Sequence, residues 1–246
     1  MKVGFTSTSL RNCSIEEVVD TAVKCGAESI EWGTDYHILT EDDARLAKKL
    51  CDEKGIVIRS LGTYYKIGEN DLTEWERLCR LASITGARYM RTWLGKKASA
   101  KTRENEYEDL ISESFALADI ADKYGVVISN ECHHDTFNDE TAASLRYLSD
   151  TKGRIKTYYQ SWYREREGDF DKLNKLISFV SDVHISFSEL KKFQLLHKKD
   201  ENFIPDIINV LKSKLFDGYV FIEFTADNSP ANLIKDVLKL KKLVNQ

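Results

Sequence analysis

The stretch KCGAESIEW (residues 24–32) carries the pattern that decides the fold: the end of a helix-like segment, a glycine and a short apolar run. The same order recurs in EKGIVIRSL (residues 53–61) and at four further places along the chain. Glycine suits the end of a helix because a residue without Cβ adopts the left-handed turn without steric cost. Short runs of β-branched and aromatic residues are typical of buried strands. The six glycines are Gly26, Gly55, Gly86, Gly125, Gly153 and Gly218.

Repetition of helix, glycine and strand predicts either a parallel βα barrel or a doubly wound sheet. Eight strands and eight helices can be counted, which favours a closed (β/α)8 TIM barrel, usually about 250 residues long. The chain has 246 residues and no linker rich in proline, glycine or serine, so we expect one domain over residues 1–246. The predicted strands are residues 2–6, 29–32, 57–61, 88–93, 126–131, 155–160, 182–186 and 219–224.

Charge and cysteine content narrow the class of protein. The chain has 36 basic and 40 acidic residues, and its basic residues are scattered, which argues against nucleic acid as a partner. The start MKVGFTSTSL is too short and too polar for a signal peptide or a membrane span. Five cysteines without a C-x-x-C pair argue against disulfides, so we expect a cytoplasmic protein without a membrane partner.

Four polar residues stand at the predicted ends of strands 5 to 8: Glu131, Gln160, His184 and Glu223. In a parallel barrel the carboxyl ends of the strands meet at one face, so we expect these side chains to converge. Two carboxylates, an imidazole and an amide suit a divalent ion such as Mn²⁺, Co²⁺ or Zn²⁺. Each residue also has a simpler interpretation, because a buried glutamate is often an ion-pair partner and a buried histidine is often a hydrogen-bonded core residue.

The predicted ends of strands 2, 3 and 4 combine aromatic and polar side chains. Aromatic faces together with groups that bind hydroxyls are a common design for a small-polyol pocket. The alternative is that the aromatic residues belong to the core and the charged residues face water. The aromatic candidates are Trp32, Tyr64, Tyr65 and Trp93, and the polar ones are Asp35, His37, Lys66 and Arg91.

Seven segments of the chain, in order, resemble the xylose isomerase-like TIM barrels, also called the sugar phosphate isomerase/epimerase family. Each segment alone is weak evidence for the resemblance, but the order and spacing of all seven are more specific. Together they cover almost the whole chain. The segments are IEWGTDYH, GTYYKIG, MRTWLGKKAS, ECHHDTFNDETAASLRYL, TYYQSWY, DVHISF and FIEFTADNSP.

The resemblance implies a (β/α)8 barrel with one divalent metal ion (Mn²⁺, Co²⁺, Zn²⁺ or Mg²⁺) bound by Glu131, Gln160, His184 and Glu223. The family usually has aspartate where this chain has Gln160, which stands in the tripeptide Tyr159-Gln160-Ser161. A neutral amide removes one negative charge, so metal affinity should fall, or the role of the metal changes or is lost. The sequence also departs after His184, where relatives often have Lys-Asp and this chain has Ser186-Phe187.

The resemblance further implies an enzyme of carbohydrate metabolism, a metal-dependent isomerase or epimerase acting on a sugar, sugar phosphate or sugar acid. Glu131 and Glu223 would be ligands and also the acid/base pair that moves a proton next to a carbonyl. The expected substrate contacts are His133, Arg91, Trp93, Tyr64, Trp32 and His37.

Three other functions are compatible with the same fold. A dehydratase of a polyol or keto acid would use the same metal and acid/base groups. A metal-free barrel that binds a sugar without catalysis would explain Gln160. A DNA-repair endonuclease would need more histidine and aspartate ligands and a basic surface, whereas this chain has five histidines and a net charge of −4. A homo-oligomer is also compatible with the resemblance.

Overall fold

Eight parallel strands form a closed barrel in which each strand pairs with the next along the chain and β8 pairs with β1. The structure is a computed structural model that describes residues 1–160, 166–187 and 202–246. The predicted (β/α)8 barrel is therefore confirmed. The strands are β1 Lys2–Thr6, β2 Ser29–Gly33, β3 Val57–Ile67, β4 Tyr89–Leu94, β5 Val127–Glu131, β6 Lys156–Gln160, β7 Val180–Ile185 and β8 Tyr219–Ile222.

A helix follows each strand along the chain. Ser14 begins the first helix with a capping box, in which its hydroxyl accepts from the Glu17 N–H while the Glu17 carboxylate accepts from the Ser14 N–H. None of the helices in the described residues is long and apolar enough to cross a membrane. The helices are α1 Ile15–Cys25, α2 Glu41–Lys54, α3 Leu72–Thr85, α4 Glu104–Lys123, α5 Thr141–Asp150, α6 Arg166–Leu176, α7 Phe203–Ser213 and α8 Pro230–Asn245.

Five of the six glycines that predicted the fold adopt the left-handed conformation, with φ between +62° and +74°. Gly218 differs, because its φ is outside that region and the reason for glycine is a close backbone approach. A Cβ at Gly218 would lie 2.3 Å from the carbonyl oxygen of Ser181 on the neighbouring strand β7. Glycine is therefore required before these strands for two different reasons: a left-handed backbone conformation at five positions and a close backbone contact at Gly218.

Strand β3 is longer than the sequence predicts, since it continues from Leu61 to Ile67. Gly62 pairs with Arg91, and the next pair is Lys66 with Trp93, so β3 carries an irregularity in between. The strand predicted from the sequence ends at Leu61, but the aromatic residues Tyr64 and Tyr65 favour extended structure, and the extra residues are accommodated as a bulge. Strand β3 therefore extends six residues beyond the predicted end of the strand at Leu61.

Candidate active site

Three predicted ligands converge at the carboxyl end of the barrel. Glu131 is the last residue of β5, His184 lies in β7, and Glu223 directly follows β8. One ligand atom from each of these side chains lies within 4.8 Å of the others, and all three residues are buried. The parallel strands bring these groups to one end of the barrel, where their ligand atoms are close enough together to hold a metal ion.

Gln160, the last residue of β6, joins this group through Glu223. Its amide Nε2 donates a hydrogen bond to Glu223 Oε2 over 2.6 Å. A half-turn of the amide exchanges its nitrogen and oxygen, so the same side chain can also present an oxygen at this position. Ser161, which completes the tripeptide noted in the sequence, lies outside the described residues.

His184 is held between two carboxylates. Its Nε2 lies 3.4 Å from Glu31 Oε2 and its Nδ1 lies 3.5 Å from Glu223 Oε2. Burial opposes its positive charge, but Glu223 and Glu31 together raise the pKa of His184 to about 10. Nδ1 is buried without a hydrogen-bond partner in the described part of the chain. A carboxylate at Nε2 fixes the proton there in the neutral ring, which leaves the Nδ1 lone pair for a cation.

Glu31 is a central residue of this site that our sequence interpretation did not select. It lies in β2 with 1% of its surface exposed, and it accepts hydrogen bonds from Ser60 Oγ (2.9 Å) and Arg91 Nε (3.1 Å). Burial opposes ionisation, but the positive charges of His184 and Arg91 lower the pKa of Glu31 to about 2. A single carboxylate in an otherwise apolar strand is the signal that selected Glu223, and the same signal would have found Glu31.

Arg91 connects two of the carboxylates. It lies in β4, forms an ion pair with Glu131, and bonds Glu31 through Nε. Gly62 on the neighbouring strand makes room for this pair, because a Cβ there would lie 2.9 Å from Arg91 Nη2 and 3.0 Å from Glu31 Oε1. The structure therefore places Arg91 inside the ionic cluster, with 5% of its surface exposed.

The charges of the cluster fit a divalent cation. Three carboxylates (Glu31, Glu131 and Glu223) face one guanidinium (Arg91), which leaves two negative charges when His184 is neutral. Buried charge without compensation is unfavourable, and without an ion the proton on His184 supplies part of the balance. Two carboxylates and an imidazole nitrogen are the donor set that Mn²⁺, Co²⁺ or Zn²⁺ prefers. The residues present therefore fit a metal ion, which would displace the proton of His184.

An aromatic surface adjoins the cluster. Trp93 in β4 donates its indole N–H to Glu131 Oε2 over 2.9 Å. His133 stacks on the Trp93 ring with centroids 4.7 Å apart, and Tyr64 meets the same ring edge-on at 5.2 Å. Tyr64 is 42% exposed, so this surface reaches from the buried carboxylates to the solvent.

Three other predicted pocket residues lie in the wall of the barrel. Trp32 is fully buried and meets His37 edge-on at 5.6 Å. Tyr65 packs against Trp75 of α3 with centroids 4.9 Å apart. Side chains alternate along a strand, so Trp32 points away from the face occupied by its neighbour Glu31. A direct substrate contact by Trp32 or His37 stays a prediction.

Residues 19–243 match the family model described as xylose isomerase-like TIM barrel. The chain belongs to that family. This confirms the resemblance that the seven sequence segments indicated.

Individual relatives are enzymes of this fold. A 3-dehydroshikimate dehydratase from Bacillus anthracis is 21% identical over 216 residues, which cover 82% of this chain and 76% of that protein. The structure of the probable 3-DHS dehydratase AsbF from Bacillus anthracis has a TM-score of 0.82 at 16% identity, covering 98% of this chain and 99% of that one. D-allulose 3-epimerase from Methylomonas sp. has a TM-score of 0.76 at 14% identity, covering 98% and 97%. At these identities the structural likeness shows the fold.

Proposed function

We propose that this protein is a metal-dependent isomerase or epimerase that moves a proton next to the carbonyl of a sugar, sugar phosphate or sugar acid. The observation that carries the proposal is the buried group of Glu131, His184 and Glu223, whose ligand atoms lie within 4.8 Å of one another. Its place at the carboxyl end of a (β/α)8 barrel is where enzymes of this architecture carry their active sites.

Each of the two glutamates has one oxygen engaged and one available. Arg91 and Trp93 both donate to Oε2 of Glu131, and Gln160 donates to Oε2 of Glu223. The Oε1 atoms of both glutamates have no hydrogen bond to any residue that the structure describes. The hydrogen-bonded Oε2 atoms fix the orientation of the carboxylates. The Oε1 atoms can then bind an ion or transfer a proton.

A divalent ion held by Glu131, His184 and Glu223 would polarise the substrate carbonyl and stabilise the charge that develops on proton removal. One glutamate then removes the proton from the carbon next to the carbonyl, and the other returns a proton. Burial opposes ionisation of Glu131, but Arg91 and His184 lower its pKa below the ordinary value. Glu131 is therefore ionised at neutral pH, as a general base must be.

Trp93, His133 and Tyr64 suit the less polar face of a small cyclic or extended polyol. The centroid of the Trp93 ring lies 4.7 Å from that of His133 and 5.2 Å from that of Tyr64. Trp93 also donates a hydrogen bond to Glu131. A substrate stacked on this surface would bring its reacting carbon towards Glu131.

Metal content and turnover test the proposal. After equilibration with Mn²⁺ and removal of free ion, we expect about one ion per chain by elemental analysis, and loss of the ion in Glu131→Ala and Glu223→Ala. A panel of aldoses, ketoses and sugar acids is then tested for turnover, which Glu131→Gln and Glu223→Gln should abolish. Glu108→Gln, an exposed carboxylate on α4, is the matched control. Turnover that survives both active-site changes contradicts the assignment.

A second candidate is dehydration of a polyol or keto acid, favoured by the relative that is 21% identical over 82% of this chain. The same base would remove the proton, and a hydroxyl on the next carbon would leave as water. Incubation with 3-dehydroshikimate distinguishes this reaction, because the product is lighter by one water in mass spectrometry. Isomerisation or epimerisation leaves the mass unchanged.

A further inference from the structure

Arg11 follows strand β1 and a short 3₁₀ turn formed by Ser7–Leu10, so it lies at the carboxyl end of the barrel, as the candidate site does. Its guanidinium carbon lies 4.6 Å from the centroid of the Tyr36 ring and 5.9 Å from that of Phe224. Phe224 directly follows Glu223 and has a φ of 63°, which is unusual for a bulky residue. Arg11 is thus connected through one ring to a predicted metal ligand.

The guanidinium of Arg11 packs on two aromatic rings. It forms neither an ion pair nor a hydrogen bond with any residue in the described ranges. Arg91, inside the cluster, has two carboxylate partners. Stacking on aromatic rings orients the planar guanidinium and leaves its edge, with several N–H donors, free for a ligand.

The backbone on both sides of Arg11 is fixed by one histidine. His37 Nδ1 lies 3.0 Å from Ser7 Oγ, and Nε2 lies 3.1 Å from the carbonyl oxygen of Cys13. Ser7 Oγ also accepts from the Gly33 N–H over 2.9 Å, which ties the segment to β2. The position of Arg11 is therefore defined before any ligand binds, which reduces the entropy that binding must remove.

Lys66 is a second cation of the same kind. Its Nζ lies 5.1 Å from the centroid of the Trp93 ring, and it forms no ion pair within the part of the chain that the structure describes. Asp35 is the carboxylate whose charge interacts with Arg11, but no ion pair joins them, and burial raises the pKa of Asp35. Two cations that form no ion pair with a described residue thus lie over aromatic rings, in a protein whose net charge is −4.

We propose that Arg11 binds an anionic group of the substrate, a carboxylate or a phosphate, and that Lys66 adds to the attraction. The substrate class is then a sugar acid, a keto acid or a sugar phosphate rather than a neutral sugar. A guanidinium matches both anions because it donates two parallel hydrogen bonds from one edge. This assignment rests on the proposed function, since it places the rest of the substrate against Glu131 and Glu223.

Titration calorimetry on the full chain, equilibrated with Mn²⁺, tests the assignment with three probes. D-fructose is neutral, D-fructose 6-phosphate carries a phosphate, and 3-dehydroshikimate carries a carboxylate. We expect at least one anionic probe to bind about tenfold or more tightly than D-fructose, as charge-assisted hydrogen bonds provide. Whichever anionic probe binds more tightly identifies the source of the anion.

Three variants connect that preference to Arg11. Arg11→Gln and Arg11→Met should both remove the preference, and Arg11→Met keeps the unbranched stem that packs on Tyr36. Arg11→Lys should keep part of it, because the charge remains while the paired donors are lost. Arg45→Gln, on an exposed face of α2, is the control and should bind all probes as the unaltered protein does. Circular dichroism and thermal melting show which variants are folded.

Two results overturn the assignment: anionic probes that bind no better than D-fructose, and a preference that persists in the folded Arg11 variants. Metal content, measured on the same samples, separates this outcome from failure of the proposed function. An Arg11-dependent preference without bound metal supports the anion site and contradicts the metal-dependent reaction. Bound metal without a preference for anionic probes contradicts the anion site and is compatible with the metal-dependent reaction.

Discussion

The two ends of the barrel each contain a buried ionic cluster, and the clusters differ in how fully their groups are satisfied. At the amino-terminal end, Arg59 Nε lies 3.1 and 3.2 Å from the two oxygens of Asp182. The Tyr219 N–H donates to Asp182 as well, over 2.9 Å, and the rings of Tyr89 and Tyr219 cover the guanidinium. Burial raises the pKa of Asp182 to about 7 while Arg59 opposes that shift, so at most one negative charge faces one positive charge, and hydrogen bonds satisfy the carboxyl group.

At the carboxyl-terminal end, three carboxylates share Arg91 and His184. His184 Nδ1 has no hydrogen-bond partner among the described residues. That atom lies 3.5 Å from Glu223 Oε2, and the cluster has a surplus of two negative charges when His184 is neutral, an imbalance that a bound cation would remove. A balanced cluster is compatible with a purely structural role, whereas an unbalanced cluster is a candidate binding site.

The largest expected effect is on turnover at the unbalanced end. Glu131→Gln should lower kcat by roughly 100- to 10,000-fold, the usual contribution of a general acid or base. Thermal stability should change little, because the amide has the same shape, Arg91 retains its bond to Glu31, and the change removes one charge from a cluster with a surplus of negative charge. Steady-state kinetics with the best substrate of the panel and a melting curve measure both quantities. A variant that loses stability and turnover together would assign Glu131 to the structure instead.

The second effect concerns Glu31, which touches both Arg91 and His184 without being among the three grouped ligands. Glu31→Gln should weaken metal binding about 10- to 100-fold, because residues that orient a metal-bound histidine have effects of this size. Competition for Mn²⁺ with a chelator of known affinity measures the change, and Glu108→Gln serves again as control. Unchanged metal affinity would show that Glu31 only balances Arg91.

The third effect should appear at the balanced end. Asp182→Asn leaves Arg59 without its ionic partner, and we expect the free energy of unfolding to fall by about 2 kcal/mol. The expected loss of free energy is smaller than that for breaking a fully buried ion pair, because the Arg59 side chain is 21% exposed. Denaturant unfolding measures the loss, and metal content per folded chain should stay the same. Loss of metal in this variant would show that the two clusters are coupled.

The barrel was predictable from sequence because its signals are local. Gly26, for example, ends α1 in the left-handed conformation and the apolar strand β2 follows within three residues. The extension of β3 was not predictable in this way, since it depends on pairing of Lys66 with Trp93 across a bulge. The pairing of two strands depends on residues far apart in the sequence, so it cannot be inferred from the residue pattern of one segment.

The site was predictable where one residue carries the signal and less so where a partner decides its role. Glu223 and Glu31 both carry the signal of a single carboxylate in or next to an apolar strand, but the bond of Glu31 to Arg91, sixty positions away, cannot be inferred from that strand. Tyr64 and Tyr65 were grouped in one aromatic surface, yet consecutive residues of a strand point to opposite faces. Only Tyr64 meets Trp93, whereas Tyr65 is buried against α3.

A fourth substitution adds negative charge to the end of the barrel that already has a surplus of it. Gln160→Asp introduces a fourth carboxylate and removes the amide donor to Glu223 Oε2. Without an ion, the two carboxylates repel each other, so the melting temperature should fall by a few degrees, about 1 kcal/mol. With Mn²⁺, the added charge should raise metal affinity several-fold and restore the melting temperature, because an ion that binds only the folded state stabilises it. Paired melting curves with Mn²⁺ and with a chelator measure the difference. If Gln160→Asp melts at the same temperature in both, the surplus of negative charge does not serve to bind a cation.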